Sequence, residues 1–222
     1  MNVTKKNLAT FILGFFTLWL FAWILHQAMV FGMHWWGSSQ SNIELGYWLS
    51  MKFLVWLVYP YYYWHTHVPR IWDFIGLSKT TAKRGYQWGS IAVVIWIALS
   101  WVMVLLKHQH FASTFTWPMY VYVALLTPIM EEVVFRGYII AGLLACKVEG
   151  KIANLITTGL FLLVHILGWS FQGVLWANLS STAWISITLF SLVAGFIRIH
   201  SGSLRSSILL HIGNNAFGGF VK

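Results

Sequence analysis

Seven apolar stretches divide this chain, at residues 8–33, 43–64, 86–106, 118–145, 152–169, 183–199 and 203–221, with short polar connections between them. Most reach the ~17–25 residues an α-helix needs to cross ~30 Å of hydrocarbon. The fifth and sixth are short and the seventh is the least apolar. The pattern predicts an all-α, polytopic membrane helix bundle of about seven transmembrane helices. No internal repeat, low-complexity tract or long linker interrupts it, so one transmembrane domain over residues 1–222 is expected.

Composition excludes the soluble alternative. Only 9% of residues are charged and the mean hydropathy is +0.70, where soluble domains carry about 25% charged residues. The net charge of +9 does not mark a nucleic-acid-binding protein, because the basic residues sit between apolar runs rather than on one face. In a membrane protein such an excess sets topology. Lys5 and Lys6 precede the first stretch as they would in a secretory signal peptide. That stretch is too long for a signal, and His26, Gln27 and Met29 offer no small-residue cleavage site, so an uncleaved first helix is expected. The single cysteine, Cys146, makes neither an internal disulfide nor a cysteine zinc site and reads as a small apolar residue near a helix end. Of the 15 tryptophans, Trp35, Trp36, Trp64, Trp117 and Trp169 fall near expected helix ends, where interfacial belts form.

Residues 65–85 form the one substantial polar connection. Pro69 breaks the helix there, Arg70, Lys79, Lys83 and Arg84 make it basic, and Ile71, Trp72, Phe74, Ile75 and Leu77 suit it to the membrane surface. With a cytoplasmic N-terminus and seven crossings, the cytoplasmic segments hold Lys5, Lys6, Arg70, Lys79, Lys83, Arg84, Lys147, Lys151, Arg198 and Arg205. The outer segments hold only Lys107 and Lys222, while Lys52 and Arg136 fall inside helices. Ten against two predicts N-in, C-out.

An acid within hydrocarbon is a functional candidate by default. Of five acids, Glu44, Asp73 and Glu149 fall in connections, whereas Glu131 and Glu132 lie deep in the fourth stretch. Glu132 and Arg136, four residues apart, share a helix face and can pair. Glu131 is turned about 100° away and has no partner on its own helix. A carboxylate so placed can face a cavity and act as a general base. The bland alternative is an ion-pair cluster that fixes helix packing.

Nine histidines are present. His26, His34, His65, His67, His108, His110 and His200 fall near expected interfaces or in connections. His165 lies inside the fifth stretch, four residues after Phe161, and His211 inside the seventh, four residues before Asn215. A histidine alone in an apolar helix is more often a packed residue than a ligand, but here two such helices accompany a buried acid. At 1.5 Å per residue, Glu131 lies ~10 Å, His165 ~20 Å and His211 ~12 Å from the inner face, with Asn215 a turn further out. Allowing ~5 Å for end errors, the four can share one band of the membrane.

These residues also carry a family resemblance. EEVVFR at 131–136, Phe161 to His165 and His211 to Asn215 resemble the EExxxR, FxxxH and HxxxN motifs of the CPBP family, the CAAX prenyl protease and bacteriocin-processing (Abi) proteins. The resemblance covers roughly residues 118–218, a CPBP-like catalytic core. It implies an intramembrane endopeptidase in which Glu131 and His165 activate water. His211 and Asn215 would stabilise the oxyanion, with Glu132, Arg136 and Phe161 in support. The family is often labelled metalloprotease. If zinc were present, Glu131, His165 and His211 would be its ligands. No HExxH pattern occurs and Asn215 is a poor zinc ligand, so a metal-free reaction without a cofactor is the favoured expectation. The first three helices carry no motif.

Two other readings compete. Family members are also associated with bacteriocin self-immunity, so a non-enzymatic immunity or partner-binding membrane protein is the alternative. A transporter would also use intramembrane acids and histidines, but its inverted repeats are not seen. The expected partners are the lipid bilayer and a peptide or protein substrate: a prenylated CAAX protein, a bacteriocin, a pheromone precursor or a membrane protein. By analogy, so short a chain with one domain suggests a bacterial plasma membrane.

Overall fold

The computed structural model describes residues 3–36, 40–106, 108 and 116–218. Those residues form nine helical elements and no strand. They are α1 (Lys5–Trp36), α2 (Gln40–Lys52, continuing through Phe53–Val58 to Tyr59–His65), α3 (Ile71–Phe74) and α4 (Ala82–Leu106). Next comes α5, which runs Trp117–Val121, Tyr122–Leu126, Thr127–Glu132, Val133–Ile139 and Ile140–Ala145 without a break. It is followed by α6 (Gly150–Phe171), α7 (Leu175–Ser180), α8 (Ala183–Ser201) and α9 (Leu204–Gly218). All seven apolar stretches fall on helices, namely α1, α2, α4, α5, α6, α8 and α9. By length and composition, α1, α4, α6 and α8 can each cross a membrane. The protein is a polytopic helical membrane protein. Lys107 and Lys222, the two outer cations of the charge count, and His110 lie outside the described residues.

Three segments are π-helical: Phe53–Val58, Tyr122–Leu126 and Val133–Ile139. Two have a visible cause. Pro60 and Pro128 each follow one of them by two residues. Proline lacks an N–H and its ring strikes the carbonyl four residues back. Widening the preceding turn relieves that clash without breaking the helix.

The described chain divides into two compact units. The first comprises Met1–Pro69 and Gly142–Val193. Phe11, Phe15, Trp19 and Trp23, spaced by four on one face of α1, are all buried. They meet Tyr59, Trp64, Trp56, Trp48 and Phe171, with ring centroids 4.4–5.6 Å apart. Trp64 is therefore core, not part of an interfacial belt: it is 0% exposed, whereas Trp117 is 74% exposed. Lys52 is buried with its ammonium 5.2 Å from the centre of the Trp56 ring, where the ring quadrupole attracts it.

The second unit comprises Arg70–Ala141 and Ala194–Lys222. Here α9 packs along α4 and against the Tyr122–Glu132 part of α5. Close approach of α4 and α9 depends on small residues. A Cβ on Gly89 would lie 3.1 Å from the Ser206 Cα and 2.9 Å from Leu209 Cδ1. The exposed side of α4 is apolar, with Ile91, Val94, Ile95, Leu99 and Leu105 uncovered.

The basic connection is fastened to the start of α9. Leu204 N–H donates to Gly76 O at 2.9 Å, and Arg205 donates from Nη1 and Nη2 to Ser78 O and Leu77 O at 2.9 Å each. Its apolar residues divide: Ile71 and Ile75 are buried in the protein while Trp72 is exposed. Arg198, placed in a cytoplasmic segment by the charge count, lies buried in the last turn of α8. Its Nε donates to Arg136 O at 3.1 Å. That carbonyl sits inside the third π segment, whose geometry displaces carbonyls from their α-helical donors.

Candidate active site

The second unit gathers five of the seven residues singled out from the sequence. Glu131, Glu132 and Arg136 lie on α5, His211 and Asn215 on α9. Glu132 and Arg136 are 0% exposed, Glu131 7% and His211 4%. A helix carrying two adjacent glutamates and an arginine at such depth is costly unless every charge is matched.

The match runs through Glu132. Its Oε1 accepts from Arg136 Nη1 at 2.8 Å, the i, i+4 pair expected from spacing. The same oxygen accepts from His211 Nδ1 at 2.9 Å. The acceptor here is taken up by the Arg136 guanidinium, so it is a carboxylate oxygen and Nδ1 must be the donor. This fixes the imidazole ring and directs Nε2 elsewhere. Nε2 lies 3.8 Å from Glu131 Oε2. That separation is longer than a hydrogen bond but short enough for both to contact one small group. Glu131 thus faces His211 across to α9.

The link from His211 to Glu132 was not legible in the sequence. Helix spacing reveals partners within one helix and is silent about partners on another. Asn215 is half-buried one turn beyond His211. Its Nδ2 donates to Val123 O at 3.0 Å. The vacancy at that carbonyl follows from the second π segment. Thr127 N–H reaches back to Tyr122 O, so it does not serve Val123. The next residue, Pro128, has no N–H to offer. An amide carries two N–H bonds on Nδ2, so one remains for another acceptor.

Phe161 and His165 lie on α6 in the first unit. His165 Nδ1 donates to Phe161 O at 2.8 Å, and the two rings stand 4.7 Å apart at 55°. The four-residue spacing therefore has a physical use: one residue supplies both the carbonyl and the ring that orient the imidazole. In the neutral form Nε2 is left as the basic nitrogen. Among the described residues no group of three His, Cys, Asp or Glu side chains is disposed to hold a metal ion. Zinc needs at least three such ligands, and no step below passes through a zinc ion.

Comparison with known proteins adds one match. No curated protein and no solved structure matches the chain. A family model, Type II CAAX prenyl endopeptidase Rce1-like, matches residues 112–217. That stretch contains Glu131, Glu132, Arg136, Phe161, His165, His211 and Asn215. Over residues 112–217, a little under half of its length, this membrane protein is similar to the Rce1-like family of CAAX prenyl endopeptidases.

Proposed function

We propose that the protein is an intramembrane endopeptidase that cuts a lipidated peptide substrate with water activated by Glu131, without a metal. The observation that carries this reading is the placing of His211 between the two glutamates, bonded to Glu132 and facing Glu131. The oxyanion role asks His211 Nε2 to carry a proton while Nδ1 donates to Glu132, with Glu131 beside it as the proton acceptor.

In the reaction, Glu131 takes a proton from water, and the hydroxide oxygen bonds to the scissile carbonyl carbon. Negative charge develops on the carbonyl oxygen. His211 Nε2–H and the second Nδ2–H of Asn215 donate to it, which stabilises the tetrahedral intermediate. The intermediate collapses, the C–N bond breaks, and the leaving nitrogen takes the proton from Glu131. The products are a carboxylic acid, which releases its proton to solvent, and an amine.

The test uses purified protein and an internally quenched, farnesylated CAAX peptide. Cleavage is expected in the wild type, to survive exhaustive chelation, and to fall at least 10³-fold in E131Q, because the proton acceptor is gone. Full activity in E131Q ends the proposal. Activity lost on metal removal and restored by zinc ends its metal-free part.

A further inference from the structure

Helix α4, apolar and long enough to cross a membrane, carries no motif and lies outside residues 112–217, the part matched by the family. Yet one of its side chains is hydrogen-bonded into the site. Trp96 Nε1 donates to Asn214 Oδ1 at 2.8 Å. Asn214 Nδ2 donates to Asn215 Oδ1 at 2.9 Å. Asn215 Nδ2 donates to Val123 O at 3.0 Å. Three helices are thereby joined by a single file of hydrogen bonds.

The file has a direction that no rearrangement of amides can reverse. An indole nitrogen only donates, so Asn214 must present its oxygen to Trp96. Its nitrogen then faces Asn215, which must present its own oxygen in return. A backbone carbonyl only accepts, so the far end of the file demands the Asn215 nitrogen. Both ends therefore select the same orientation of the Asn215 amide. An asparagine that accepts an oxyanion's charge is useful only with its N–H edge toward the reacting carbonyl. Turned over, it would present oxygen to oxygen and oppose the transition state.

We infer that Trp96 and Asn214 are positioning residues that set the amide of Asn215 with its N–H edge toward the reacting carbonyl. The inference rests on the proposed role of Asn215 in peptide hydrolysis. Neither residue touches substrate. Trp96 acts through Asn214, and Asn214 through Asn215.

The test is a double-mutant cycle on cleavage of the farnesylated CAAX peptide, with kcat and KM read separately. N215A removes the donor and is expected to lower kcat by about 10²-fold, the range found when one oxyanion donor is lost. W96F keeps an aromatic ring but loses the N–H, and N214L keeps the shape of asparagine but loses the relay. Each is expected to lower kcat by about 10-fold with KM within twofold of wild type. In the N215A background, adding W96F is expected to change nothing further, because the group it positions is gone. Wild-type kcat in both W96F and N214L overturns the inference. So does a W96F loss of the same factor with and without Asn215, which marks general packing. If W96F does not purify as a folded protein, N214L alone and in the N215A background carries the same decision. Failure of the underlying reading looks different: N215A itself then keeps full kcat.

Discussion

His211 is held by Glu132: Nδ1 lies 2.9 Å from Glu132 Oε1, the oxygen that also receives Arg136, while Nε2 lies 3.8 Å from Glu131 Oε2. The adjacent glutamates therefore do different work. Glu132 is the electrostatic centre of a buried cluster, and Glu131 stands at its edge.

The two glutamates should separate in a stability measurement. E132A leaves the fully buried Arg136 guanidinium without its carboxylate, and breaking a buried pair by removing one partner costs about 3–5 kcal/mol. E131Q leaves the Glu132–Arg136 pair in place and keeps the volume of the side chain. Thermal unfolding in detergent should show a large drop in Tm for E132A and little change for E131Q. Both should lose cleavage, E132A because His211 is no longer oriented. Equal Tm values would mean that Glu132 does not organise the cluster.

Pro128 and Asn215 should be energetically coupled although they lie on different helices. Val123 O takes its hydrogen bond from Asn215 because the residue five places on is a proline without an N–H. Removing the donor to a fully buried carbonyl costs about 1–3 kcal/mol, so N215A, at a part-buried bond, should destabilise the protein by about 1 kcal/mol. P128A supplies an N–H within reach of the same carbonyl. In the P128A background, N215A should cost measurably less. Additive effects in the cycle would refute the idea that the amide fills a gap left by the proline.

Gly76 and Gly202 make a paired test of how the basic connection is fastened. Both have positive φ, +84° and +70°. A Cβ on Gly76 would lie 2.6 Å from Arg198 Nη2 and 3.0 Å from the Leu204 backbone nitrogen, whereas on Gly202 nothing lies nearer than Thr81 Cγ2 at 3.8 Å. G202A should cost only the left-handed backbone penalty, about 1–2 kcal/mol. G76A adds displacement of Arg198, which is hydrogen-bonded to Arg136 O, so it should destabilise more and lower cleavage. Equal effects would show that Arg198 yields freely.

The sequence was informative wherever a relation lies within one helix. Seven apolar stretches marked seven helices to within a few residues, because hydrophobic length is a local property. The Glu132–Arg136 pair and the Phe161–His165 orientation both follow from a four-residue spacing. What crosses between helices was not legible. Nothing in the spacing ties His211 to Glu132, or Trp96 to Asn214. Pro60 and Pro128 signalled a disturbed helix, but not that the turns before them would widen to π geometry. Trp64 was misread as interfacial because position near a helix end does not reveal which face of the helix it occupies. It is packed in the core of the first unit.

Orientation in the membrane is the last prediction, and it rests on charge alone. We propose seven crossings with the N-terminus in the cytoplasm. Cytoplasmic loops retain lysine and arginine because these resist translocation, and the count on that assumption is ten inside against two outside, with Lys52 and Arg136 within helices. A five- or six-crossing arrangement spoils the asymmetry. The structure fits two of the positions: Arg205 and the connection that holds Lys79 and Lys83 meet at the start of α9, as they must if they share one side. Fused at the C-terminus, alkaline phosphatase, which works only outside the cytoplasm, should be active, and green fluorescent protein exported the same way should be dark. Fused after residue 80, within the basic connection, the two reporters should give the opposite result. A fluorescent C-terminal fusion would place both termini on the same side and remove one crossing from the seven.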